Sequence, residues 1–111
     1  MAGVNSAKNG GRVVDMIIVT GSATARPGNF DEMLAVSLEH VHRSREEPGC
    51  VSHAVYHDVE HPLRVVFFEQ WADRAALQAH FEVPESLTFV EALGRLTDQP
   101  PTMEIHTVAE G

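Results

Sequence analysis

The sequence predicts an α+β domain in the order β-α-β-β-α-β, and three observations carry that expectation. The length of 111 residues suits one domain and is too short for two. Short β-branched and apolar runs recur at four places, with helically spaced apolar residues between them. Proline and glycine break the pattern at Pro27-Gly28, Pro48-Gly49 and Pro100-Pro101.

The first strand is Met16 to Ala25 (MIIVTGSATA), apolar and β-branched before turning small and polar. Asn29 then stands as an N-cap, with Glu32 at capping-box spacing. Phe30, Met33, Leu34, Leu38 and Val41 follow near helical spacing, which carries a helix to about Arg45. Arg43 and Arg45 in its last turn suit the negative end of the helix dipole. Two strands come next, Cys50 to Val59 and Leu63 to Trp71, joined through Glu60-His61-Pro62. Asp73 caps a short helix over 74–81. Pro84 opens a second one to about Thr97, with Leu87, Val90, Leu93 and Leu96 or Thr97 on its buried side. Thr102 to Val108 alternates as the last strand. This order is the ferredoxin-like split βαβ arrangement, a four-stranded antiparallel sheet with its helices on one face.

The third strand, LRVVFFEQW, is apolar at its middle in both parities. A sheet with one wet face alternates instead. Two helices cover only one face, so Val51, Val55, Val66 and Phe68 are expected to pack against a second copy of the chain as a homodimer.

Composition narrows the function. Eight bases against sixteen acids give a formal charge of −8, which repels phosphate backbones and anionic lipid. Neither nucleic acid nor membrane is expected as a partner, and no apolar run approaches the ~20 residues of a membrane-spanning helix. Residues 1–15 lack the apolar core of a signal peptide and read as a flexible tail before a domain over 16–111, or as an upstream start ahead of Met16. The lone Cys50 has no disulfide partner within the chain, which points to a reducing compartment, the cytoplasm.

Seven histidines invite a metal, but their local spacing argues against one. His53 and His57 lie about 13 Å apart along a regular strand. His40 and His42 point about 200° apart on a helix. Only histidines assembled from distant parts of the chain would make a site. No metal ligands are therefore assigned, and most of the histidines are expected at the surface. There is no GxSxG, P-loop or GxGxxG motif, and Cys50 follows Pro-Gly where a small buried residue fits. The remaining constellation is Glu69 and Trp71 on one face of a strand end, with His80 on the next helix. A carboxylate, an indole and an imidazole beside an apolar pocket suit a flat aromatic substrate and a proton transfer. In the plainer reading Trp71 is core, Glu69 pairs with Arg64 or Arg74, and His80 fills a buried gap.

Pro27-Gly28, Pro48-Gly49-Cys50, Glu69-x-Trp71 and His80, in this order and spacing, resemble the antibiotic biosynthesis monooxygenase family over roughly Met16 to Val108. The resemblance implies a dimeric α/β-barrel with a pocket between helices and sheet in each subunit. It also implies oxidation of a quinol- or anthrone-like substrate by O₂ without metal, flavin or haem. Trp71 corresponds to a pocket Trp of the polyketide-oxidising members, and Tyr56 to a Tyr on their second strand. That puts Tyr56, Phe67, Glu69 and Trp71 in one pocket. Phe67 replaces an Asn of those members, so a polar contact to substrate oxygen is lost. The haem-degrading branch fits less well: its Asn, Trp and His fall near Thr20 or Ser22, His80 and Val90. The implied mechanism has His80, or else Glu69, as base and Tyr56 donating to the developing oxyanion. Phe67, Trp71, Leu77 and Phe81 line the site. The alternatives are a non-catalytic quinone binder and an isomerase of the same fold.

Overall fold

The computed structural model describes residues 16–109. The expectation of a tail over 1–15 lies outside the described residues. Strand β1 (Met16–Thr24) leads to helix α1 (Phe30–Ser44), strands β2 (Cys50–His57) and β3 (Arg64–Trp71), helices α2 (Arg74–Glu82) and α3 (Pro84–Leu96), and strand β4 (Thr102–Val108). The four strands form one antiparallel sheet in the order β2-β3-β1-β4, the ferredoxin-like arrangement.

Local chemistry explains where the elements begin and end. The Asp73 carboxylate accepts the Ala76 backbone N–H at 2.8 Å and starts α2 as expected. Asn29 occupies the N-cap of α1, but its side chain makes no cap hydrogen bond. The expected capping box therefore does not form. Gly49 turns the chain from α1 into β2 at φ +84°, and a Cβ there would collide with the Ala76 methyl group. Glycine alone suits both demands. Gly21 serves a different need: a Cβ would lie 2.6 Å from the Thr102 carbonyl oxygen, so its absence lets β4 close against β1.

The core lies between the sheet and the helices. Ile17, Val19 and Ala23 of β1 and Val65, Phe67 and Trp71 of β3 point into it. Met33 and Val41 of α1, Leu77 of α2, and Leu93 and Leu96 of α3 close it. Two helix faces are rotated from those expected. In α1 the buried stripe runs through Met33, Ser37, His40, Val41 and Ser44, leaving Leu38 exposed. In α3 it runs through Ser86, Ala92, Leu93 and Leu96, with Phe89 packed beside it, and Leu87 and Val90 face outward. Small residues take the inward positions because α1 packs on α3 as well as against β2.

The pairing of β2 with β3 fixes which side chains share a face, and it corrects the expected parity. Val55 pairs with Phe67 and joins the core on the helix side, whereas Tyr56 pairs with Val66 on the opposite face. An irregularity between Cys50 and Ser52 shifts the register there. A continuous alternation read from Cys50 therefore assigns the later residues to the wrong side. Tyr56, Val66 and Phe68 lie on the face without helices, and Tyr56 is 58% exposed.

A buried histidine and carboxylate cluster beside Trp71

Four elements converge at the helix-facing end of the sheet. The C-terminal half of α1 supplies His40, the following turn Glu47, β2 His53, β3 Glu69 and Trp71, and α2 His80. Trp71 is fully buried. His53 and His80 are 1% and 4% exposed, and His40 and Glu69 are buried with them.

Hydrogen bonds arrange these groups in two strings. The Trp71 indole Nε1–H donates to Glu69 Oε1 at 2.9 Å. His53 Nε2 lies 3.4 Å from the same oxygen, without hydrogen-bonding geometry. His80 Nδ1 meets Glu47 Oε1 at 2.8 Å. The other oxygen of Glu47 accepts from Arg43 at 3.0 Å, and Arg43 also donates to His40 Nδ1 at 2.9 Å. Rings stack over this network. His80 lies 4.6 Å from the Trp71 ring, and Phe89 lies flat on His40 at 4.0 Å with 7° between planes.

Burial sets the ionisation of the cluster. It holds the His40 imidazole down to about 2 and that of His53 to about 3, with the neighbouring imidazoles and arginines adding to the effect. Both rings are neutral at physiological pH. Burial pushes the Glu69 carboxyl upward, against the hydrogen bond from Trp71 that favours its charge. The Cys50 thiol is also raised, by burial and by Glu47 and Glu69, which removes the condition a thiolate nucleophile needs.

The expected site residues divide. Glu69, Trp71 and His80 do come together. Leu77 packs beside Trp71 with Ile17 and Val19, and Phe81 packs partly buried against the same cluster. Phe67 also faces the helices but belongs to the neighbouring group around Met33, edge-on to Phe89. Tyr56 is a correction: it stands on the opposite face of the sheet and cannot reach an oxyanion held beside Glu69. Glu69 pairs with neither Arg64 nor Arg74, which bind Asp58 and Thr107 instead. Four of the seven histidines, His42, His57, His61 and His106, are exposed as expected, and His40 and His53 join His80 in this cluster. Sequence spacing missed His40, His53 and Glu47, which are separated along the chain and meet only through the fold. Parity gave no signal either, since His53 shares a face with Val55, which the sequence pattern places on the helix-free side.

A groove of about 550 Å³ opens on the other face of the sheet, lined by Ser52, Tyr56, Phe68 and Gln70 among others. The resemblance implied a pocket on the helix side. On that side the rings of His40 and Phe89 stack on one another.

Comparison with known proteins shows the company this arrangement keeps. Residues 16–92 match the family model described as antibiotic biosynthesis monooxygenase. A protein of Synechocystis sp., described only as uncharacterized, is 38% identical over 96 residues. The match covers 86% of this chain, which spans 65% of that relative's length. A Deinococcus radiodurans structure described under the same family name superposes with a TM-score of 0.81 at 20% identity, covering 86% of this chain and 94% of its own. A Mycobacterium tuberculosis structure does so with a TM-score of 0.80 at 23% identity, covering 86% and 97%. At these identities the two structures establish the fold.

Proposed function

Because the chain belongs to the antibiotic biosynthesis monooxygenase family, we propose that it is a cofactor-independent monooxygenase oxidising a quinol- or anthrone-like aromatic substrate with O₂. The observation that carries the reading is the pair of buried His80 and half-buried Glu47 beside Trp71. With Nδ1–H donated to the Glu47 carboxylate, His80 keeps Nε2 as its basic nitrogen. The carboxylate stabilises the imidazolium that forms when a proton arrives. Glu69 is the less available base, because its Oε1 already accepts from the Trp71 indole N–H. Phe89 supports an aromatic substrate: a ring already lies flat on His40, and a substrate ring takes that position when Phe89 swings aside.

The chemistry balances without a further reactant. His80 takes a proton from the activated CH₂ of an anthrone, and the carbanion transfers an electron to O₂. Recombination forms a C–O bond and a peroxide anion, which recovers a proton from the imidazolium. The hydroperoxide then loses water, so one oxygen atom ends in the new carbonyl and the other in water. The exposed Phe68 and half-buried Val66 support our further reading of the helix-free face as a homodimer contact.

Oxygen uptake on a panel of quinols and anthrones tests the function. Turnover with O₂ consumed, lost in His80→Ala, is the expected result. Turnover that proceeds equally under argon would favour an isomerase, and saturable binding without turnover a quinone-binding protein.

A further inference from the structure

Three imidazoles from three different elements meet in the interior. His40, His53 and His80 each offer one ring nitrogen, these nitrogens lie within 4.8 Å of one another, and all three residues are buried. We propose that this trio binds one divalent transition-metal cation of the zinc or cobalt type through its imidazole nitrogens.

The donor set favours that class, because imidazole suits Zn²⁺ and Co²⁺ where hard cations demand oxygen. His53 is an independent sign of a missing ligand: its side chain is wholly buried, yet neither ring nitrogen has a hydrogen-bond partner among the described residues. A buried imidazole left in that condition forfeits the hydrogen bonds it makes in water, and a metal ion satisfies it directly. His80 is oriented as ligating histidines are, with Nδ1 on the Glu47 carboxylate and Nε2 free. Glu69 Oε1, 3.4 Å from His53 Nε2, places an oxygen donor beside the trio.

Two adjustments accompany binding. Nitrogens around a tetrahedral zinc at ~2.0 Å lie about 3.3 Å apart, so the rings must close on the ion by rotating about χ1 and χ2. Arg43 donates to His40 Nδ1, which leaves the ring proton on Nε2. Ligation through Nε2 moves that proton to Nδ1 and turns Arg43 fully onto Glu47, which it already contacts. The inference is independent of the oxygenase reading, and the two draw on the same atoms. A lone pair given to a cation is unavailable to remove a proton, so a loaded chain is not in the base form.

Equilibrium dialysis of the full chain against Co²⁺, with visible absorption as the readout, tests the site without an activity assay. The expected result is one Co²⁺ per chain with the d–d bands of low-coordinate cobalt, displaced by Zn²⁺. Glu47→Gln, which leaves the ligands intact, should weaken binding by about 10–100-fold. His53→Gln should abolish it, and His61→Gln at an exposed histidine should leave it unchanged. Wild-type chain that retains no cobalt overturns the proposal, as does a folded His53→Gln variant that binds equally well. Loss of binding in His61→Gln would assign the ion to the surface and overturn it too.

Discussion

Acid should destabilise this protein through His40 and His53, and the size of the effect follows from their burial. Both imidazoles are uncharged in the folded chain, at about 2 and about 3 against an ordinary value of 6.5. As pH falls below about 6.5, the unfolded chain binds a proton at each position and the folded chain does not, so stability is lost. The loss approaches ~1.4 kcal/mol per pH unit for each ring, or about 2 kcal/mol each between pH ~7.5 and pH ~5. That sum requires only that the folded values lie below about 4. Glu69 works in the opposite sense. Its raised carboxyl stays protonated in the folded chain after the unfolded one has ionised, so acidification restores stability there. Replacing His53 with Gln removes one imidazole and leaves Glu69 in place, which isolates a single contribution. Urea unfolding with EDTA present, followed by circular dichroism at both pH values, gives the two stability losses. The loss in His53→Gln should be smaller than in the wild-type chain by about 2 kcal/mol. Equal losses in the two proteins would refute the buried, neutral state of His53.

Three more outcomes follow from the same packing. Gly49→Ala should cost about 1–3 kcal/mol from its positive φ, plus the collision with Ala76, and a thermal melt reads the loss. Leu77→Ala empties a fully buried position beside Trp71 and should lose about 2–5 kcal/mol in denaturant unfolding. Phe68→Asp should convert a particle of twice 12.2 kDa into one of 12.2 kDa by light scattering, and a wild-type mass of 12.2 kDa would remove the dimer.

The architecture was legible because each element announces itself locally. Pro84, Asp73 and Gly49 punctuate the chain at the boundaries the structure adopts, and the β1 and β3 runs carry their apolar residues at strand spacing. The failures share one cause: they concern which way a side chain points once elements pack. Leu38, Leu87 and Val90 matched a helical period as well as Ser37, Ser86 and Phe89, but close helix packing selected the stripe that includes the small serines. Tyr56 was misassigned because one register irregularity near Cys50 exchanges the faces of the strand beyond it. In the site, Glu69, Trp71 and His80 were legible because they lie within one strand-to-helix unit. His40 and Glu47 reach the same place from across the fold, and no spacing rule connects them to residue 80. Local spacing separates neighbouring histidine pairs but carries no trace of three rings delivered by three elements.

The placement of Trp71 makes the cluster visible to a simple optical measurement. It is the chain's single tryptophan, its indole N–H is fixed on Glu69, and its ring lies 4.6 Å from His80. Indole emission is blue-shifted in an apolar surround and is quenched by an adjacent imidazolium or by an open-shell ion. The intrinsic fluorescence of this domain is therefore a built-in gauge of the histidine cluster. Protonation, cation entry and displacement of Phe89 should each register in one spectrum, with no label attached to the chain.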